Sequence, residues 1–215
     1  MPARSYGGLA MEERVAARRA RFIEAGVELF GTQGFRGATV RGICAAAGLT
    51  DRYFYESFAS MEALLAAVYN SLTDAFATRL TQEFFTAEGW RGDAAAVERQ
   101  VTDAYELWFD TVRDARVARI LLVEILGVSP GMDALYEESA RAMAALTIMP
   151  LAGTLPTLKL PKARRELLGR ALVGAALQVA KMWMTGGYKL PRRDVVRTCV
   201  LVATGTITAL RAEAA

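Results

Sequence analysis

Apolar residues recur at the three- and four-residue spacing of α-helices along the whole sequence, and no segment alternates as a β-strand does. Proline is scarce, at 6 of 215 residues, and most glycines and prolines fall between the periodic segments. Because 53% of the residues are hydrophobic and only 23% are charged, the chain can bury a sizeable core. The sequence therefore predicts an all-α fold.

The breaks between these segments predict where the helices lie. Ser60 is expected as an N-cap, with Glu62 in the first turn of the helix that follows. No apolar stretch is long and uninterrupted enough to predict a membrane span or a secretory signal, which favours a cytoplasmic protein. After a loose tail at about 1–10, we expect helices at about 12–30, 39–46, 50–56, 61–85, 93–112, 114–126, 131–148, 162–185 and 192–211.

Residues 34–64, GFRGATVRGICAAAGLTDRYFYESFASMEAL, contain two short predicted helices joined by a tight turn. Gly48 can adopt the left-handed backbone that such a turn requires, and Thr50 is expected to cap the second helix. Small residues before the turn allow the two helices to pack closely. The arrangement predicts a helix-turn-helix, with inward-pointing Val40, Ile43, Leu49 and Phe54.

This stretch resembles the DNA-binding domain of TetR-family transcriptional regulators over about 50 residues. The resemblance lies in Thr39-Val40, Ile43-Cys44, Ala47-Gly48-Leu49-Thr50, Phe54-Tyr55, Phe58 and Ser60-Met61-Glu62-Ala63-Leu64. It implies a three-helix DNA-binding domain over residues 1–60 and a helical effector-binding and dimerisation domain over residues 61–215. Met61 departs from the family pattern, which often has lysine there, so one backbone contact is expected to be missing.

The resemblance also implies how this domain meets operator DNA. Thr39 and Arg41 would contact phosphates, Tyr55 would hydrogen-bond a phosphate, and Thr50, Asp51, Arg52 and Tyr53 would lie nearest the DNA. Arg52 is the best candidate for a bidentate guanine contact. Asp51 would either accept from a cytosine amino group or pair with Arg52.

Four arginines of the first predicted helix also concern DNA. Arg14, Arg18 and Arg21 share one helical face, with Arg19 beside them. They would either attract phosphates or pair, on a solvated face, with Glu12, Glu13, Glu24 and Glu28.

The last two predicted helices, at about 162–185 and 192–211, are the candidates for a homodimer interface. The alternative is that both belong to the core of one subunit. The apolar residues behind both readings are Leu167, Leu168, Ala171, Leu172, Ala175, Ala176, Val179 and Met182 on the first helix, and Val195, Val196, Val200, Leu201, Thr204, Ile207 and Leu210 on the second.

The middle helices are expected to enclose a cavity for an apolar or mildly polar ligand, because large apolar faces with few polar groups line such sites. Ordinary core packing is the alternative for each lining residue. Glu124, within an apolar stretch, would pair, reach water or meet the ligand. The predicted ligand residues are Tyr105, Trp108, Phe109, Leu122, Tyr136, Met143, Gln178 and Trp183, with Ile125, Leu146 and Met182 nearby.

The sequence lacks the residues that catalysis and metal binding most often use. There is no histidine, and the two cysteines, Cys44 and Cys199, lie in apolar surroundings. We expect no enzyme activity, no metal and no cofactor. The predicted function is a transcription repressor released from double-stranded operator DNA by a small ligand, with a ligand-independent regulator, or a helical ligand-binding protein without DNA activity, as alternatives.

Overall fold

The computed structural model describes residues 5–84, 94–148 and 160–214. Within these ranges the protein forms nine α-helices and one π-helical turn, with no β-strand, so the all-α prediction is confirmed. The helices are α1 (Ser5–Gln33), α2 (Val40–Ala47), α3 (Asp51–Ser57), α4 (Met61–Phe84), α5 (Ala94–Thr111), α6 (Ala115–Arg119), α7 (Pro130–Ile148), α8 (Lys162–Thr185) and α9 (Arg192–Ala214), and the π-helical turn (Ile120–Glu124) follows α6 directly.

The helices differ from the predicted ones mainly at α1 and α6. α1 begins at Ser5, so residues 5–10, expected in a loose tail, are helical. Residues 9–21 are mostly strong helix formers, and a helix once formed propagates through two glycines at modest cost. The predicted 114–126 helix is instead a short α6 followed by the π-helical turn. Residues 1–4 lie outside the described residues.

Three phenylalanines hold the N-terminal helices together. The Phe22 ring of α1 meets Phe54 of α3 edge-on, with ring centroids 5.6 Å apart, and it meets Phe58 at 6.2 Å. All three rings are buried, as is Ile43 of α2. Since aromatic pairs in this geometry add to the free energy of burial, the cluster fixes α3 against α1.

α4 is shared by the two halves of the molecule. Its first turns bury Leu64, Leu65 and Val68, and the Val68 side chain lies so close to Gly26 of α1 that a Cβ there would be 2.6 Å from it. Its later turns bury Phe76 and Leu80. The sequence of α4 contains neither glycine nor proline, which favours a continuous rod.

The C-terminal helices form a bundle in which α5 packs against α9 and α7 against α8. Arg192 joins α9 to α5, because its Nη2 lies 3.0 Å from Asp110 Oδ2 and donates to the Glu106 carbonyl. Six of the fifteen residues considered for the dimer interface are buried within this core: Leu172, Val195, Val196, Val200, Ile207 and Leu210. For these six residues the subunit-core interpretation is correct.

The faces of α8 and α9 that point away from the subunit core are exposed and partly apolar. Leu167 is 68% exposed and Leu201 71% exposed, and Met182 and Val202 are also exposed. Gly174 and Gly205 lie on the same two faces, where a Cβ would meet no described atom within 4 Å.

By length and composition, the segment Arg192–Glu213 could cross a membrane, which differs from the expectation that no segment could. Within the described residues it is the single helix that meets both criteria, and 39% of its most apolar window is buried inside the protein. The buried part of this helix packs against α5, which accounts for part of that apolar composition.

Candidate DNA interface and ligand cavity

The turn between α2 and α3 has the backbone that the sequence predicts. Gly48 is left-handed, with φ 61° and ψ 37°, and Thr39 caps α2 by accepting from the Gly42 N–H at 3.1 Å. Thr50 occupies the N-cap position of α3, but its side chain makes no capping hydrogen bond in the described part of the chain. Its hydroxyl therefore stays exposed beside the residues that begin α3.

The charged residues at the start of α3 pair differently from the expectation. Arg52 is bound to Glu56, one turn along the helix, with its Nε 2.9 Å from Oε1. The alternative that Asp51 pairs with Arg52 is therefore wrong. Asp51 instead lies beside the Cys44 thiol, where burial, followed by the hydrogen bond and charge of Asp51, raises the pKa of that thiol to about 11.

Two tyrosines of α3 lie on its outer surface. Tyr55 is 62% exposed, and its ring contacts the edge of Phe54 at 5.3 Å between centroids. Tyr53 is partly buried because the Arg18 guanidinium of α1 lies over its ring, 4.5 Å from the centroid. Thr50, Arg52, Tyr53 and Tyr55 therefore share one end of the domain, uncovered by other described residues except at Tyr53.

The arginines of α1 mostly hold the third helix in place. Arg19 donates to the Ser57 carbonyl at 2.9 Å and lies over the Phe58 ring, and Arg21 donates to the Gly48 carbonyl at 3.4 Å. Among the residues described, none of the four arginines forms an ion pair with a glutamate of α1, and Glu28 pairs with Arg116 instead, so the alternative of pairing within α1 is wrong. Arg14, one turn before Arg18, is exposed, as is Arg41 at the start of α2.

The π-helical turn joins the two halves of the molecule. The Glu124 carboxylate, 14% exposed, accepts from the Phe35 N–H at 2.7 Å and pairs with Arg119 Nε at 2.7 Å. Arg119 also donates to the Thr32 carbonyl at 2.8 Å. A Cβ at Gly34 would lie within 3.1 Å of both side chains, so this contact requires glycine there. Glu124 therefore pairs, as one alternative anticipated, and it holds the α1–α2 loop.

An apolar cavity of about 150 Å³ lies between the C-terminal helices. Of the described residues that line it, none is charged. The lining residues come from α4 (Tyr69, Thr73, Phe76, Leu80), α5 (Val101, Ala104, Tyr105, Trp108), the π-helical turn (Leu121), α7 (Tyr136, Ser139, Ala140, Met143, Thr147), α8 (Leu172, Val173, Ala176, Leu177) and α9 (Ala203, Thr206, Ile207).

Four of the eight predicted ligand residues line this cavity: Tyr105, Trp108, Tyr136 and Met143. The other four lie elsewhere. Phe109 and Trp183 pack against each other in the core, 5.7 Å apart, and the Trp183 Nε1 donates to the Leu190 carbonyl. Leu122 is buried outside the cavity, and Gln178 is exposed because it faces outward on α8.

α4 also contributes to the cavity wall, which none of the predicted ligand residues indicated. Tyr69, Thr73, Phe76 and Leu80 follow one another at spacings of four, three and four residues, which marks one helical face. That spacing could have assigned them to one wall, but not to a cavity rather than a close-packed core.

Three phenols in the cavity wall are held neutral by burial. Burial raises the pKa of Tyr69 to about 12, and the neighbouring Tyr136 adds to this, while a hydrogen-bonding contact with the Ser139 hydroxyl opposes it. Burial raises the pKa of Tyr105 and of Tyr136 as well. Tyr69, Tyr136 and Ser139, which we call the hydroxyl cluster, join α4 to α7.

The helix-turn-helix geometry has a counterpart among known families. Residues 22–68 match the sequence pattern of the family described as "Bacterial regulatory proteins, tetR family". Residues 22–68 form a TetR-family DNA-binding domain. The chain is accordingly a DNA-binding transcription regulator, and the predicted resemblance is confirmed for this domain. The TetR match ends at Val68, after the turns of α4 that pack against α1.

Solved structures share the TetR-type fold over nearly the whole chain. The fatty acid degradation regulator FadR of Bacillus halodurans is 17% identical, with a TM-score of 0.74 over 87% of this chain and 95% of that one. FadR of Bacillus subtilis, solved in complex with stearoyl-CoA, is 15% identical, with a TM-score of 0.72 over 86% and 97%. A tetR-family transcriptional regulator of Streptomyces coelicolor is 22% identical, with a TM-score of 0.70 over 92% and 81%. No curated protein matches significantly.

Proposed function

We propose that this regulator is a cytoplasmic homodimeric repressor that leaves its operator when a small apolar ligand enters the cavity. The observation that carries the proposal is the double role of α4. Leu64 and Val68 of this helix pack in the DNA-binding core, whereas Tyr69 and Phe76 line the cavity. A ligand that alters the wall at Tyr69 thereby acts on a helix that supports α1 and α3.

For the DNA contacts, we propose that α3 enters the major groove. Thr39, Arg41 and Tyr55 would bind phosphates, and Thr50, Asp51, Arg52 and Tyr53 would face bases. Exposure of the hydroxyl of Thr50, the guanidinium of Arg52 and the phenol of Tyr55 supports these roles. Arg14 would add a phosphate contact, because Arg18 on the same face already lies against Tyr53.

For the dimer, we propose the exposed faces of α8 and α9, within the predicted segments 162–185 and 192–211. One helix-turn-helix reads about one half-site, and a pair must present its recognition helices roughly 34–36 Å apart. Leu167 and Leu201 are large exposed apolar side chains, and Gly174 and Gly205 would let the partner's backbone approach closely.

For the ligand response, we propose a population shift between a DNA-binding state and a released state. The ligand must bind the released state more tightly, or it shifts nothing. Besides α4, the π-helical turn offers a second route, since Leu121 lines the cavity while Glu124 holds the Phe35 N–H. The Bacillus subtilis FadR, solved in complex with stearoyl-CoA, shows that a protein of this fold binds a molecule with a long apolar acyl chain, which supports a ligand with an apolar part here.

The proposal is tested by selecting bound fragments from random DNA and measuring affinity across salt concentrations. A dimeric binder that neutralises several phosphates should lose affinity steeply as salt rises. Melting-temperature shifts against a metabolite panel, followed by release assays, then test the ligand response. Operator binding that no compound weakens would favour a ligand-independent regulator. Ligand binding without any DNA binding would contradict the repressor.

We expect Arg52→Ala to weaken operator binding by about 1–3 kcal/mol and to relax selectivity at one base pair. Glu56→Gln is the matched variant: it removes the carboxylate that holds Arg52 and a negative charge near the phosphates. An exposed ion pair of this kind contributes less than about 1 kcal/mol, so freeing Arg52 from it has a small effect. Together with the removal of a negative charge near the phosphates, Glu56→Gln should tighten operator binding a few-fold at low salt. Mobility-shift titrations on the selected operator and on single-base variants measure both, and equal losses on every sequence would assign Arg52 to the phosphates.

The contact of Glu124 with the Phe35 N–H and with Arg119 should contribute to the stability of the folded protein. Glu124→Ala is expected to lower the free energy of unfolding by about 1.5–3 kcal/mol, because it removes a carboxylate bonded to a backbone N–H and a guanidinium. Glu137→Ala is the control, since that exposed carboxylate lies 3.3 Å from Arg170 on the surface. Denaturant unfolding compares them, and equal losses would show that the Glu124 contact contributes no more than a surface pair.

A further inference from the structure

The polar groups of the cavity wall define what kind of ligand the cavity would accept. Its described lining carries hydroxyls but no carboxylate, ammonium or guanidinium. A charged ligand group would lose its hydration there without meeting an opposite charge, which is very costly in an apolar environment. The chemistry of the wall therefore favours a neutral ligand.

The threonine hydroxyls of the wall are already engaged as donors. Thr73 donates to the Tyr69 carbonyl at 3.1 Å, Thr147 to the Met143 carbonyl at 2.9 Å and Thr206 to the Val202 carbonyl at 2.8 Å. Such bonds to the preceding helical turn are common for threonine and leave no proton for a ligand. The remaining hydroxyl protons of the wall belong to the three phenols and Ser139.

The hydroxyl cluster concentrates these protons at one side of the cavity. Tyr69, Ser139 and Tyr136 line the same side of the cavity, and burial raises the pKa of both phenols, so both stay protonated at neutral pH. The Trp108 Nε1–H, elsewhere in the wall, is buried with no partner among the described residues. The phenol and serine protons can be donated to a ligand, and the Trp108 N–H can only donate, so a ligand that brings an oxygen acceptor would find donors in this wall.

We infer that the ligand is an uncharged, largely aliphatic or aromatic molecule with one carbonyl or ether oxygen, which accepts a hydrogen bond from Tyr69. The inference rests on the proposed ligand response and adds the chemical class. Tyr69 follows Val68, whose side chain packs against α1. A hydrogen bond from Tyr69 to the ligand would therefore form at the point where α4 leaves the DNA-binding core and enters the core around the cavity.

The test compares four probes that share a ten-carbon chain: methyl decanoate, sodium decanoate, decane and decanoyl-coenzyme A. Binding to the full-length protein is measured at pH 7.5 by calorimetry or by tryptophan fluorescence. We expect methyl decanoate to bind at least about 10-fold more tightly than decanoate or the coenzyme A thioester, since the ester alone combines an acceptor with zero charge. Ester affinity should be constant between pH 6 and 8, whereas decanoate affinity should fall about tenfold per pH unit.

Tyr69→Phe tests the proposed hydrogen bond. It should weaken methyl decanoate binding by about 3- to 10-fold and leave decane binding unchanged, because one neutral hydrogen bond is removed. Tyr188→Phe is the matched control, because its phenol donates to the Val112 carbonyl at 3.0 Å outside the cavity. It should change neither affinity.

Three results would overturn the inference, and they are distinguishable. Tighter binding of decanoate or of the thioester would reject the neutral class while leaving the ligand response standing. An equal effect of Tyr69→Phe on ester and decane would reject the hydrogen bond. If none of the four probes binds while a compound of the metabolite panel still releases the operator, the inferred ligand class is rejected and the ligand response stands. If no compound of the panel releases the operator either, the ligand response is rejected as well.

Discussion

Replacing Leu201 by glutamate should convert the protein to a monomer and weaken operator binding by about 10³-fold or more, toward the level of non-specific binding. Leu201 is 71% exposed on α9, and it lies on the same face as Gly205. In the proposed dimer two such glutamates would be buried near the two-fold axis. An unpaired buried charge is far more costly than the loss of one apolar contact.

The control for this prediction is Leu126→Glu. Leu126 is also an exposed leucine, at 40%, but it lies beside the α1–α2 loop and not on α8 or α9. Sedimentation velocity and mobility shift on the selected operator provide the two measurements. A dimer that survives Leu201→Glu would reject the proposed interface, and a monomer that still binds the full operator tightly would reject the need for pairing.

Replacing Phe54 by alanine should lower the free energy of unfolding by about 3–5 kcal/mol. Phe54 is fully buried and contacts the Phe22, Phe58 and Tyr55 rings. The substitution leaves a cavity where α3 meets α1, and a small helical domain collapses poorly around such a void. Operator binding should then be lost in proportion to the unfolded fraction and should recover on cooling toward the temperature of maximum stability.

Tyr55→Ala, the neighbouring substitution, should have the opposite profile. Its exposed ring contributes little to the core, so the melting temperature should fall only slightly, while operator affinity should fall because the proposed phosphate contact is removed. Thermal unfolding and DNA titration of the two variants separate stability from recognition. If Tyr55→Ala destabilised the protein as much as Phe54→Ala, its loss of binding would carry no information about DNA contact.

The fold could be predicted closely because its determinants are local. Gly48, Thr39 and Ser60 act through the backbone of their own turn, and Ser60 does accept from the Ala63 N–H at 3.1 Å, as its position predicts. Helix bounds follow from propensity and from the breaks at glycine and proline. The π-helical turn was missed because its apolar residues have the same spacing as a helix and only the path of the chain distinguishes them.

The cavity and the dimer face were harder to predict because both depend on which side of a helix faces which neighbour. Phe109 and Tyr105 lie four residues apart on α5, yet one is in the core and the other lines the cavity. Gln178 faces outward although its neighbours in sequence are apolar. Such assignments depend on contacts between distant segments, for which a single sequence carries no spacing signal.

The continuity of α4 has a consequence for how the molecule opens. Because its early turns complete the core around Phe22 and Phe30, a fragment that ends at residue 60 would lose the covering side chains of Leu64 and Val68 and should not hold its structure. Backbone amides at the two ends of α4 should therefore exchange with deuterium as one cooperative unit. Occupying the cavity would then protect amides of α1, several helical turns away from any bound molecule.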